Sequence, residues 1–182
     1  MKYLLFYSLV LLHFNSNAQT DTLITYSSIN YVDSVSKNEL FDRAKLWIAN
    51  SFKDGKTVIQ IENRDLGQIL CKGNFPTYYT YKTIGARKIP VDCFFTINML
   101  FKDGKYKVDI YDLSVKNSEY NRYDFGPVIT SAIVCPVSWP MGNRQSKVDE
   151  MWNEVKHNID VEIRSVLDQI KIGFQKKINT DF

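Results

Sequence analysis

The chain has 182 residues, of which 45% are apolar, 24% are charged and 14% are aromatic, and its formal net charge is +3. The apolar share is too high for a disordered chain, and five prolines and eight glycines exclude the collagen-like and low-complexity classes. The small positive charge excludes a strongly basic nucleic-acid-binding protein as the default interpretation.

The N-terminal segment, residues 1–18, has the layout of a secretory signal. Lys2 supplies a short positive start, and residues 3–12 form an uncharged, largely apolar run. Ser16 and Ala18 then place small side chains at the positions that signal peptidase recognises. The pattern predicts export, with cleavage between Ala18 and Gln19. The alternative is a buried N-terminal helix or strand.

After cleavage, residues 19–182 are expected to fold as one α+β domain in the periplasm or outside the cell. The apolar run is shorter than the ~20 residues of a membrane-spanning helix, and no later stretch is long and apolar enough for one. The first cysteine after the run is Cys71, so no lipid-modified cysteine begins the mature chain. We therefore expect neither a transmembrane segment nor a lipid anchor.

The first elements of the mature chain are a strand and a helix. Residues 23–33 are rich in β-branched and aromatic side chains and predict a strand. Residues 36–39 (Ser-Lys-Asn-Glu) form a capping box, in which Ser36 and Glu39 each accept the other's amide. The helix after it is expected to end at residues 54–55 (Asp-Gly). Its apolar stripe consists of Leu40, Phe41, Ala44, Trp47, Ile48 and Phe52.

The middle of the chain predicts two strands, residues 57–63 and 67–73, followed by a tyrosine-rich segment, residues 74–90. This segment is first interpreted as a loop. The alternative, which the sequence favours, is a β-hairpin extension whose tyrosines alternate between the two faces.

The clearest strand is residues 91–101, in which the odd positions are apolar with a period of two. Residues 103–104 (Asp-Gly) predict a hairpin turn to a partner strand, residues 105–115. The apolar phase of that partner switches near Tyr111 and Asp112, which predicts a bulge. Residues 147–175 carry one long apolar helical stripe.

This order, β-α-β-β-β-β-α, predicts a two-layer α+β sandwich. Successive strands with short connections favour an antiparallel sheet. Each helix has one apolar stripe and needs one surface to cover, and a sheet with one wet face provides it. Both helices are therefore expected on one face of the sheet.

Residues 34–49 (SVSKNELFDRAKLWIA) resemble the start of a family of secreted proteins known as a domain of unknown function with a TATA-binding-protein-like fold. Residues 67–73, 91–101 and 102–106 (KDGKY) agree with the family in order, so the resemblance covers about residues 30–115. It implies a curved antiparallel sheet with helices on one side. It implies no known activity, no catalytic residues and no DNA binding.

Catalytic chemistry has little support in the sequence. His157 is the one histidine after the predicted cleavage site, and motifs for nucleophilic, zinc or nucleotide chemistry are absent. Among Cys71, Cys93 and Cys135, at least one stays unpaired within the chain, and a bridge between the first two requires neighbouring strands in register. We predict no metal and no cofactor.

Three regions are candidate binding sites. The tyrosine-rich segment places aromatic rings beside Lys82 and Arg87, the wet sheet face carries aromatic and amide side chains, and residues 116–146 form a long segment with an apolar Trp139-Pro140-Met141-Gly142 stretch. The competing interpretations are hairpin packing, ordinary cross-strand pairing and a tryptophan that covers the end of the core. The candidate residues are Tyr78, Tyr79, Tyr81, Phe94, Asn98, Tyr111 and Trp139.

The leading hypothesis is an exported, non-enzymatic binding or structural module of the cell envelope or periplasm, with an unknown envelope protein or ligand as partner and no nucleic acid. The alternative is an enzyme that acts on an envelope glycan or peptide polymer through paired carboxylates. An enzyme requires two acids in one concave pocket, at least one with a raised pKa. A binding module requires an exposed aromatic or apolar patch.

Overall fold

The computed structural model describes residues 23–52, 54–83, 85–116, 126–127 and 145–176. The predicted signal and its cleavage site, Cys135, Trp139 and most of residues 116–146 lie outside this part. In chain order the elements are β1 (Tyr26–Tyr31), α1 (Lys37–Ser51), α2 (Gly55–Val58), β2 (Ile59–Asn63), β3 (Gln68–Thr83), β4 (Gly85–Lys102), β5 (Lys105–Lys116), β6 (Gly126–Pro127) and α3 (Gln145–Gln175).

The strands form one antiparallel sheet in the order β1-β5-β4-β3-β2, and β6 pairs with β5. The helices α1 and α3 contact each other and the same face of the sheet. The Phe101 ring joins the layers, since its centroid lies 5.8 Å from that of Phe41 in α1 and 6.0 Å from that of Phe174 in α3. The predicted two-layer α+β architecture, with both long helices on one face, is confirmed.

The helix α1 begins as predicted, but half of its capping box is replaced by other contacts. The Ser36 hydroxyl accepts the Glu39 amide at 3.2 Å. The Glu39 carboxylate pairs with the guanidinium of Arg43 instead of the Ser36 amide. Arg43 is buried and also donates to the Phe174 carbonyl of α3, so this contact ties the two helices together.

The segment after α1 differs from its prediction, because residues 55–58 form the short helix α2 and the strand starts at Ile59. Asp54 produces this turn, since its carboxylate accepts the amides of Lys56 and Thr57, each at 3.2 Å. A helix of one turn is too short to show apolar periodicity in the sequence.

The interpretation of residues 74–90 as a loop is wrong, and the alternative, a hairpin extension, is confirmed. The strands β3 and β4 pair continuously from Gln68 opposite Leu100 to Thr83 opposite Gly85. Pro76 is tolerated because it lies beyond Cys71, the last residue of β3 that pairs with β2.

The bulge near Tyr111 is confirmed. Phe94 pairs with Ser114 and Thr96 pairs with Tyr111, so two residues of β5 lie opposite one residue of β4. Asp112 has a φ of 55°, in the left-handed region. The bulge switches the inward-facing positions of β5 from even to odd and thereby keeps Leu113 buried.

The core lies between the helices and the inward-facing side of the sheet. Trp152 is the largest fully buried side chain among the described residues. The helices contribute Leu40, Phe41, Ala44, Trp47, Ile48, Val148, Met151, Trp152, Val155, Ile159, Ile163, Ile170 and Phe174.

Cys71 and Cys93 lie on neighbouring strands but out of register. Cys71 is opposite Ile97, and Cys93 is opposite Phe75, four residues away along the pair. Four residues of strand span about 13 Å, beyond the ~7 Å Cα separation that a disulfide allows. Both thiols are free and buried.

These thiols are expected to be unreactive in the folded protein. Burial raises the pKa of Cys71 and of Cys93 to about 12, and the thiolate is the reactive form. In a Cys135→Ser variant, a disulfide reagent at about pH 8 should label neither thiol until denaturant is added. Rapid labelling of the native variant would contradict the packing.

A polar contact ties β1 to α3. The Tyr26 hydroxyl donates to the Asp160 carboxylate at 3.0 Å, and the same carboxylate accepts from Arg164 at 2.8 Å. The hydrogen bond from Arg164, with that from Tyr26, lowers the pKa of Asp160 below its ordinary value of 3.8. The ionised carboxylate therefore stabilises the fold above that value, and the stabilisation is lost as the pH falls through the lowered pKa.

We therefore expect an acid-dependent effect of Asp160→Asn on the free energy of unfolding. The difference between the parent protein and this variant should be largest near neutral pH and should shrink below about pH 4. Asp168→Asn, at an exposed position of the same helix, is the control. Its difference from the parent protein in free energy of unfolding should not shrink as the pH falls. Urea unfolding at several pH values measures both, and a difference that stays constant into strong acid would refute the assignment.

Candidate functional site

The side of the sheet that faces away from α1 and α3 is called the open face. It consists of the even positions of β3 from Gln68 to Tyr78, the even positions of β4 and the odd positions of β1, together with the positions of β2 and β5 that lie opposite these in register. Farther along β3, Thr80 and Lys82 contact α3 and are not counted as part of it. Four of the candidate site residues share this face: Tyr78, Phe94, Asn98 and Tyr111. Tyr111 lies opposite Thr96, in the row between Phe94 and Asn98.

The open face exposes large apolar side chains on several strands. The exposed fractions are 72% for Tyr31, 58% for Ile29, 45% for Ile61, 39% for Phe94 and 37% for Leu100. The cross-strand register places Ile29, Lys107 and Leu100 in one row. Exposed apolar side chains collected on one face are typical of an interaction surface.

Lysines lie against the aromatic rings of this face. The Lys88 ammonium is 4.0 Å from the centroid of the Tyr78 ring, and the Lys116 ammonium is 5.6 Å from that of Phe94. Such contacts hold a cation at the face of an aromatic ring. The face therefore offers positive charge and apolar surface side by side.

Hydrogen bonds between neighbouring strands fix the polar side chains of the open face. Gln68 donates its side-chain amide to Asn98 at 2.8 Å. Asp109 accepts from the Ser27 hydroxyl at 2.7 Å and pairs with Lys107 at 2.9 Å. The side-chain oxygen of Asn98 is therefore already hydrogen-bonded within the sheet, and this bond links β3 to β4.

The other candidate tyrosines do not join this face. Tyr79 is buried, and Tyr81 is partly buried and packs against the core. Because Tyr78 points the opposite way, the three rings do not form one aromatic rim. Lys82 is 3.4 Å from Glu150 of α3, and Arg87 is exposed.

A cleft of about 870 Å³ lies between the end of β3 and the first turns of α3. Glu150 and Glu154 both line this cleft. The cleft therefore meets one of the two requirements for the enzymatic alternative, two acids in one concave pocket. Both oxygens of Glu154 are already engaged, since they accept from the amide and the hydroxyl of Thr80 at 2.7 Å each. Asn158 donates to the Tyr78 carbonyl at 3.0 Å. These helix side chains cover the outer edge of β3 beyond its pairing with β2.

Two other acidic groups of the described residues have pKa shifts opposite to that of a general acid. Asp54 and Asp160 have pKa values lowered by hydrogen bonds from Thr57 and Arg164, whereas a general acid requires a raised value. His157 is exposed on α3. Over the described residues, no three histidine, cysteine or acidic side chains are placed to hold a metal ion, and no helix is long and apolar enough to cross a membrane.

The family described as "Domain of unknown function (DUF4468) with TBP-like fold" matches residues 16–116. The chain belongs to this DUF4468 family. No curated protein sequence matches it.

Several solved structures share the fold. A DUF4468 family protein from Bacteroides ovatus superposes with a TM-score of 0.61 at 12% identity, covering 88% of this chain and 90% of that one. A TBP-like protein from Parabacteroides distasonis gives a TM-score of 0.51 at 13% identity, covering 82% of this chain and 93% of that one. At this identity the likeness concerns the fold alone, and the DUF4468 family carries no assigned activity.

Proposed function

We propose that this DUF4468 protein is an exported, non-enzymatic binding module that recognises an envelope or periplasmic partner through its open face. The observation that carries the proposal is the collection of exposed apolar and aromatic side chains on one face of a sheet whose other face is covered by helices. A wet sheet face needs only polar residues for solubility. Tyr31, Ile29 and Phe94 are therefore available for a contact outside the molecule.

The enzymatic alternative has weaker support. Two described clefts are each lined by a pair of carboxylates, Glu150 and Glu154 in the first and Asp54 and Glu62 in a second of about 650 Å³. All four residues have protein partners. Glu154 holds the edge of β3 through Thr80, so its role is accounted for by the fold. We therefore assign Glu150 and Glu154 to the packing of α3 against the hairpin extension.

Capture from an envelope fraction tests the open face. Phe94→Ser combined with Tyr111→Ser should abolish retention of the partner by immobilised protein, because both side chains lie on the proposed contact surface. The control is Val161→Ser combined with Ile172→Ser, which removes two exposed apolar side chains from α3 instead. Equal retention by both variants, or loss in the control alone, would refute the assignment of the face.

Export is the second part of the proposal, and the N-terminal layout around Lys2 and Ala18 supports it. N-terminal sequencing of protein purified from the cell envelope should give Gln19 as the first residue. An intact Met1 on the purified protein would contradict export by this signal.

A further inference from the structure

The positive charge of the chain is concentrated on the open face. Six lysines lie there against three aspartates, while the whole chain has a formal net charge of only +3. The aspartates are Asp92, Asp109 and Asp112, whose carboxylate accepts from the Thr96 hydroxyl on this face at 3.4 Å. Asp109 is paired with Lys107. Apart from Lys107, which is partly buried, these lysines are exposed. Together they are called the lysine track: Lys88, Lys116, Lys72, Lys107, Lys102 and Lys105.

Four lysines of the lysine track follow β4 at a regular interval, and Lys102 and Lys105 lie opposite each other at its end. Lys88 belongs to β4 itself, Lys116 is opposite Asp92, and Lys72 is opposite Thr96. Lys107 follows opposite Leu100. Each step is four residues of strand, or about 13 Å. Lys72 lies on one flanking strand and Lys116 and Lys107 lie on the other. Because each flanking strand is ~5 Å from β4, the lysines form a line along β4 that is about 10 Å wide.

Apolar rings occupy the intervals of this line. Phe94 lies between the rows of Lys116 and Lys72, and Tyr78 lies between the rows of Lys88 and Lys116. Tyr111 shares its row with Lys72. An occupant would therefore meet alternating positive charge and flat apolar surface along one direction.

This spacing fits a polymer of low charge density. Duplex DNA carries about one charge per 1.7 Å of its axis, far denser than the six lysines of the track, which are spread over about 46 Å of strand. A stable protein interface is usually depleted of lysine and enriched in arginine at its core, and the described residues of the open face include lysines but no arginine. A chain with well-separated anionic groups and flat uncharged rings between them matches both features.

We propose that the open face binds a linear anionic polysaccharide, with the lysine track contacting its carboxylates and Tyr78, Phe94 and Tyr111 contacting its sugar rings. The inference rests on the proposed function, since it names the class of ligand for the same face. Tyrosine suits this contact because its ring is apolar and its hydroxyl stays in water.

Titration with hyaluronan oligosaccharides, in which every second sugar carries a carboxylate, tests the proposal. Lys72→Gln combined with Lys116→Gln should weaken binding about fivefold to tenfold, the effect of two exposed ion pairs. The control is Lys56→Gln combined with Lys171→Gln, which removes the same charge outside the open face and should change affinity less than ~twofold. Binding of the parent protein should weaken as salt is raised.

Neutral dextran, a short DNA duplex and polyglutamate serve as competing probes under the same salt. Absence of hyaluronan binding, equal losses in the two double variants, or binding of dextran with equal affinity would overturn the proposal. Tighter binding of the duplex or of polyglutamate would assign the face to a different macromolecule. If hyaluronan fails while envelope capture still depends on Phe94 and Tyr111, only the ligand class is wrong; if capture is independent of these residues, the proposed function itself fails.

Discussion

Replacing Phe95 with alanine is expected to lower the free energy of unfolding by about 3–5 kcal/mol. Phe95 is 4% exposed, and its ring centroid lies 5.5 Å from that of Phe75. Gly73 and Phe52 crowd the same place, since a Cβ on Gly73 would lie 3.1 Å from the Phe95 ring and 2.7 Å from the Phe52 ring. Truncation therefore leaves a cavity in the layer between sheet and helices.

Phe94→Ala is the matched control, because it removes the same side chain from the adjacent position of β4. Phe94 points to the open face, so the loss should stay below ~1 kcal/mol. Urea unfolding of both variants measures the contrast. Equal losses at the two positions would refute the assignment of the faces, and Phe95→Leu provides a milder inward-facing change if the alanine variant does not fold.

Gly67→Ala is expected to cost about 2–4 kcal/mol, because it combines backbone strain with a steric overlap. Gly67 has a φ of +62°, and a Cβ there would lie 2.7 Å from the Phe101 carbonyl oxygen. The backbones of Gly67 and Phe101 are held together at this distance, because the Phe101 amide donates to the Gly67 carbonyl at 2.8 Å. The turn before β3 therefore has no room for a side chain.

Gly104→Ala separates the two causes. Gly104 has a φ of +72° but no atom within 4 Å of its ideal Cβ position, so only the conformational cost of about 1–2 kcal/mol remains. Thermal or urea unfolding should show a clearly smaller free energy of unfolding for Gly67→Ala than for Gly104→Ala. The reverse ranking would show that the close approach to Phe101 is absent.

The parts of the fold that the sequence predicts are those in which one face must be buried. The alternation of residues 91–101 and the stripe of residues 147–175 give the sheet and its covering helix directly, because burial imposes a period on each. The same alternation placed Phe94 and Asn98 outward. The phase change near Tyr111 predicted the bulge, since an apolar pattern can switch sides of a strand only where the register changes.

The extent of the hairpin depended on contacts that are distant in the sequence. Residues 74–90 contain two prolines and one glycine, which locally favour a loop. Glu154 and Asn158 of α3 nevertheless satisfy the outer edge of β3 and allow it to continue. The lysine track is equally non-local. Lys72, Lys88 and Lys116 belong to three strands, and only the register aligns them.

Site-specific photo-crosslinking in the producing cell would show whether the open face is the recognition surface. A photoreactive phenylalanine analogue at position 94 lies on the open face, and one at position 172 lies at an exposed position of α3. We predict adducts with an envelope component from position 94 and none from position 172. Adducts from position 172 alone, or equally from both positions, would contradict the account.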